Sequence, residues 1–197
     1  MEVVADPRPD GRRVRGERNK DAVVRALLSL YDEGEIEPSA ARIAEVAGVS
    51  ERSVFRYFED KDDLAATAMT LQMDRVQHLY EALDSSGDFD ARLDAILTHR
   101  IGLFDAVRGV MRASEVLEHR SEVVRSAMDR RRSFLRKQAV AQFETEISAH
   151  ENDRANVARA IEVTFSLETV HYLDRRHPRS TLRTTLEFMA RSILGQH

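Results

Sequence analysis

Arg52, Ser53, Arg56 and Tyr57 crowd a nine-residue stretch, S-E-R-S-V-F-R-Y-F, that begins at Ser50. Residues four apart share one face of a helix, so Arg52 and Arg56 would project side by side. A guanidinium fork matches the O6 and N7 acceptors of guanine, a pairing worth about 1–3 kcal/mol of base discrimination in a major groove. The plainer use of either arginine is a surface ion pair with Glu51, Glu59 or Asp60, worth less than about 1 kcal/mol. Tyr57 can pack its ring and still reach outward with its hydroxyl. Ser39 and Lys61 have the chemistry to hold phosphates, which sets register on a duplex but carries no base identity.

The elements that must position these groups are legible around them. Ile43, Ala44 and Ala47 recur at helical spacing, Gly48 supplies the backbone freedom of a tight helix end, and Ser50 can cap the helix that follows. The result is a helix, a three-residue turn at Gly48-Val49-Ser50, and a second helix over about Glu51 to Phe58. A preceding helix, about Lys20 to Glu33, carries Val23, Val24, Leu27, Leu28 and Tyr31 as a floor, and Gly34 ends it. A fourth helix starts near Lys61 and reaches roughly Leu83.

The 197 residues are 42% hydrophobic and 32% charged, with 8 glycines, 4 prolines and none of the aromatic, β-branched runs of strands, so an all-α protein is expected. There is no cysteine, which excludes a disulfide framework, a thiolate metal site and a cysteine nucleophile. No signal region and no apolar run of membrane-spanning length occurs, which points to a cytoplasmic protein without a membrane partner. Net charge is −4, unpromising for phosphate binding. Its distribution is more informative, because Arg8 to Arg25 hold seven basic residues against three acidic ones. With Pro7, Pro9, Gly11 and Gly16 as helix breakers, residues 1–18 are expected to form a flexible basic arm, either simply solvated or settling on DNA.

Downstream, helices are expected over about Phe89 to Val107, interrupted at Gly109, then Val110 to Glu118, Glu122 to Ala149, Asp153 to Arg175 and Arg179 to Leu194. The Arg130-Arg131-Arg132 run reads as a solvated face. The last two helices are apolar on more than one side and so need a partner beyond their own core. Val157, Ile161, Phe165, Leu182, Leu186, Met189 and Ile193 are the stripe assigned to a second copy, as in a four-helix bundle.

Residues 39–64 resemble the helix-turn-helix of the TetR family of bacterial transcriptional regulators, through Ser39, Ile43-Ala44, Ala47-Gly48-Val49-Ser50, Phe55, Tyr57-Phe58, Lys61 and Leu64. The resemblance implies about nine helices: a DNA-binding domain over residues 19–64 and a larger ligand-binding and dimerisation domain over residues 65–197. It further implies a homodimer on a palindromic double-stranded operator, acting as a repressor that a small-molecule effector releases, with no cofactor, metal or catalytic site. Carried over position by position, Ser50, Arg52, Ser53, Phe55, Arg56 and Tyr57 fall on the recognition helix and Lys61 on a phosphate-contacting lysine. Two positions depart: Phe55 stands where Tyr is usual, losing a hydroxyl but keeping a ring able to meet a thymine methyl. Ala41 stands where an arginine often reaches DNA, with Arg42 as the neighbouring substitute.

For the effector pocket the candidates are Met69, Met73, His99, Phe104, Met111, Glu115, Phe165 and Glu168, with His171 beside them, all lying within apolar helical stripes where ordinary core packing is the plainer role. Glu168-Thr169-Val170-His171 also matches one half of the Glu-x-x-His pattern of di-iron helical bundles, but no second Glu-x-x-His occurs. A non-specific architectural DNA binder would be marked by binding without sequence preference and a steep salt dependence.

Overall fold

A computed structural model describes residues 11–196, which form ten α-helices and two short 3-10 turns with no strand among them. The all-α expectation holds. The chain divides into two compact units, the first running to Gln72 and adding Gly109–Ser121, the second made of Met73–Arg108 and Glu122–His197.

In the first unit α1 (Gly11–Asp32) begins well before Lys20, so residues 11–18 are helix and not the flexible arm expected of residues 1–18. Residues 1–10, Arg8 among them, lie outside the described residues. Arginine, glutamate and lysine are good helix formers, and extending an anchored helix costs far less than starting one, so the single Gly16, a penalty of about 1 kcal/mol, does not stop it. The anchor is Val23, Leu27 and Leu30, all buried. Against α1 pack α2 (Ala40–Ala47) and α3 (Glu51–Tyr57). Next, α4 (Lys61–Val76) is shorter than expected and gives way to a 3-10 turn at Gln77–Leu79.

Gly109 does not interrupt a helix. One continuous helix, α5 (Phe89–Leu117), runs through it. A Cβ at Gly109 would lie 2.9 Å from both the backbone nitrogen and the Cα of Asp32, so the glycine is there to let α5 approach the end of α1.

The second unit holds the start of α5 with α6 (Glu122–Gln142), α7 (Glu144–Ala149), α8 (Arg154–Thr164), α9 (Leu167–Arg176) and α10 (Leu182–Leu194). Helix α8 packs on α6, α7 and α10. Two breaks divide what periodicity alone reads as continuous helices. One falls at the buried Phe143, whose ring stacks 5.6 Å from that of Phe165. The other falls at Ser166, whose extended backbone and side-chain oxygen, accepting the Thr169 N–H at 3.1 Å, cap a new helix.

The apolar stripes of the terminal helices face the opposite way from the assignment above. Ile161, Phe165, Leu182 and Leu186 are at most 2% exposed inside their own unit, so they are core and cannot meet a second copy; Val157, Met189 and Ile193 are half-buried. The face left open carries Val163, Tyr172 and Phe188, 58%, 60% and 71% exposed. Arg183–Asp94 and Arg191–Asp90 pairs tie the polar side of α10 to α5.

Candidate nucleic-acid interface

Each bend of the head is fixed by a short side chain closing on the backbone. Ser39 caps α2, its Oγ accepting the Arg42 N–H at 3.1 Å. Gly48 ends α2 at φ 66°, where a Cβ would be strained, and the Val49 N–H closes the turn on the Ala44 carbonyl at 3.0 Å. Ser50 caps α3 by accepting the Ser53 N–H at 3.2 Å, and the two hydroxyls sit 2.8 Å apart. The Asp63 N–H donates to Asp60 Oδ1 at 2.8 Å while Asp63 Oδ2 accepts the Glu59 N–H at 3.1 Å, which sets the entry to α4 and holds Lys61, exposed, at its first position.

These constraints give α3 two distinct sides. Val54 and Phe58 go into the core, with the Lys20 ammonium 5.1 Å above the Phe58 ring. Arg52, Phe55 and Arg56, spaced i, i+3 and i+4, go into solvent, and Phe55 is 55% exposed. Arg52 has no hydrogen-bond or ion-pair partner among the described residues, so the predicted pairs with Glu51, Glu59 or Asp60 do not form. Arg56 instead donates to the Tyr57 hydroxyl at 2.7 Å and lies over its ring at 4.8 Å, so Tyr57 steadies Arg56. Arg42 is held by Glu45 at 2.9 Å and Glu35 at 3.5 Å, pairs it must exchange before reaching another anion. The unpaired Arg52 and the Tyr57-held Arg56 flank an exposed ring, a surface able to meet base edges and a thymine methyl.

Residues 37–68 match the family model described as bacterial regulatory proteins, tetR family. Over that stretch, which holds α2, the turn, α3 and the start of α4, the chain is similar to that family. Its fold is shared with solved structures: a transcriptional regulator from Rhodococcus sp. Rha1 is similar at TM-score 0.64 and 19% identity, covering 89% of this chain and 96% of that one. A tetR-family transcriptional regulator from Streptomyces coelicolor is similar at TM-score 0.61 and 20% identity, covering 92% and 90%. No curated protein matches the sequence. Among the described residues no helix is long and apolar enough to cross a membrane.

The residues expected to line one ligand pocket fall in both units. Met69, Met111 and Glu115 belong to the first unit, where the two methionines are buried core and Glu115 is exposed. Met73, His99, Phe104, Phe165 and Glu168 belong to the second unit. There Phe165 and Glu168 do meet, in a cavity of about 140 Å³ between α6 and the α8–α9 corner. His171 lies against Phe104 at 5.9 Å between ring centres, whereas Glu168 is taken by Arg131 at 3.3 Å and Arg132 at 3.1 Å. That arginine pairing is not a di-iron ligand arrangement, and among the described residues no three His, Asp or Glu side chains converge on a metal-sized site.

Two buried arginines shape this region, and neither is among the expected site residues. Arg131 is 5% exposed, which corrects the reading of Arg130-Arg131-Arg132 as a solvated face; only Arg130 is fully exposed. Arg100 is wholly buried and donates to the carbonyls of Phe165 and Leu135 at 2.9 Å each, to Gln138 Oε1 and to His99 Nδ1 at 2.8 Å. All four acceptors are neutral. Burial pushes the Arg100 pKa down to about 10. Burial disfavours the Glu168 carboxylate, yet Arg131, a backbone N–H and Arg132 outweigh it and hold the group below the usual carboxylate range.

Proposed function

We propose that the chain is a sequence-specific transcriptional repressor acting in the cytoplasm as a homodimer on a palindromic operator, released when a small molecule binds in the second unit. The observation that carries this reading is the outward face of α3, where Arg52, Phe55 and Arg56 stand uncovered on a TetR-type head. Ser39, Ser50, Ser53, Arg42 and Lys61 then hold the flanking phosphates, and Tyr57 steadies Arg56. The exposed Val163, Tyr172 and Phe188 supply the apolar face for a second copy. Such a dimer reads two half-sites when its recognition helices stand about 34–36 Å apart. Helices α4 and α5 each contribute to both units, which makes them the elements through which a ligand would alter that spacing. The ligand acts only if it binds the DNA-incompetent arrangement more tightly.

Selection of bound duplexes from a random pool tests the reading. Recovery of a two-fold palindrome preferred by roughly 10³-fold or more over unrelated DNA is expected. Enrichment of no sequence, with affinity governed by salt alone, would make the chain an architectural DNA binder instead.

A further inference from the structure

The second unit gathers positive charge around a cavity that is otherwise apolar. Leu135, Phe165 and Leu167 form its wall, and Arg131, Arg132 and Glu168 its polar side. Arg136 and Glu162 also reach the lining. Arg100 donates to the carbonyls of Leu135 and Phe165, two residues that also line the cavity. Arg131 and Arg132 share the Glu168 carboxylate, Arg132 also reaching Asp129 at 3.5 Å, while the buried Arg100 guanidinium meets only neutral acceptors. Uncompensated buried charge is costly, and a bound anion would relieve it.

Two polar atoms here have no partner among the described residues. Arg131 Nε is buried on a side chain that lines the cavity, and its Nη2 makes only a long contact to Glu168. The Tyr80 hydroxyl is likewise buried without a partner, within electrostatic reach of Arg131, Arg100 and Glu168. Arg131 Nε can only donate, whereas the Tyr80 hydroxyl, which does not line the cavity, can donate or accept. The size of the space limits what brings that acceptor, since a cavity of roughly 150 Å³ accommodates benzene.

We propose that this cavity binds a small carboxylic acid with an apolar body the size of a single ring, its carboxylate held by Arg131 in competition with Glu168. The ring lies against Leu135, Phe165 and Leu167. Glu168, 42% exposed, acts as the built-in occupant that the acid displaces from Arg131. The proposal rests on reading the second unit as the effector-sensing part, and it names the class of effector.

Benzoate and its neutral isostere benzamide are the probes, titrated calorimetrically into the full chain. Benzoate is expected to bind saturably at one site per chain, with benzamide at least about tenfold weaker, because a charge-assisted hydrogen bond contributes that much. Arg131→Met should weaken benzoate by at least about tenfold, and Glu168→Gln should tighten it by removing the competing carboxylate. The second variant changes an exposed residue, so the test survives if the first misfolds. Equal binding of benzoate and benzamide, no benzoate binding, or a Glu168→Gln variant that binds no more tightly would overturn the site. Benzoate that binds as expected yet leaves operator affinity unchanged upholds the site and counts against its effector role. Operator release by benzamide alone overturns the acid site and leaves the regulatory reading standing.

Discussion

His99 is fixed in its neutral form by the residue beside it. Arg100 can only donate, so His99 Nδ1 must accept, and the proton on Nε2 goes to the Leu79 carbonyl at 2.5 Å. Burial pushes the imidazole below its usual pKa of 6.5, Arg100 adds to that, and the Leu79 hydrogen bond opposes both. The unfolded chain therefore takes up a proton near pH 6.5 that the folded chain refuses. The contribution of His99 to stability is complete above that value and is lost as pH falls below it. Thermal midpoints measured from about pH 7.5 to 5.5 should decline in the wild type and decline less steeply in His99→Asn; identical slopes would show that His99 does not titrate this way. Arg100 itself was visible as an anomaly, since it sits on the same helical stripe as Ile96, Leu97, Leu103 and Phe104. Arg131 likewise interrupts the stripe of Val124, Met128 and Leu135. A charged residue on an apolar stripe marks a buried polar network. Its partners are invisible from the sequence because they lie 35 to 65 residues away.

Helix α5 carries two glycines with opposite roles. At Gly109 the Asp32 backbone of α1 closes off the space a Cβ needs, whereas at Gly102 nothing lies within 4 Å. Alanine gains about 1 kcal/mol of helix propensity at either site. At Gly109 a clash of about 1–3 kcal/mol outweighs the gain, because the Asp32 carboxylate can rotate aside but the Asp32 nitrogen and Cα, both 2.9 Å away, cannot. Urea midpoints should therefore fall for Gly109→Ala and rise for Gly102→Ala, and a rise for both would mean that α1 and α5 are not in close contact at Asp32. The same contrast explains which elements were legible. The helix-turn-helix is written in local signals, with Ser39, Gly48 and Ser50 each acting within four residues of its own position. Gly109 reads as a breaker because the helix it accommodates is distant in sequence. The Ser166 cap was readable in S-L-E-T but hidden inside an apolar run continuous on both sides.

Taken as a whole, the molecule bears a net charge of −4 and still presents arginine and lysine where α3 and the start of α4 meet solvent. These cations, Arg52, Arg56 and Lys61, stand among five acidic residues, Glu51, Glu59, Asp60, Asp62 and Asp63. The segment therefore holds no local excess of positive charge and relies on where each arginine points. The terminal helices complete the picture from the other end. Their buried stripe closes the core of the second unit, and Val163, Tyr172 and Phe188, one on each of α8, α9 and α10, remain exposed. Amphipathic spacing shows apolar residues on more than one side of these helices but cannot say how many sides their own unit covers. Here Leu167, Val170 and Leu194 are buried along with Ile161, Phe165, Leu182 and Leu186. The most direct measurement is the affinity of the wild type, Arg52→Ala and Arg56→Ala for the pool-selected palindrome and for a scrambled duplex, at one fixed salt concentration. The expected result is a strong wild-type preference for the palindrome, reduced roughly tenfold or more by at least one substitution, as the loss of a bidentate base contact worth about 1–3 kcal/mol requires. Preference unchanged in both variants would contradict the assignment of the α3 face to DNA.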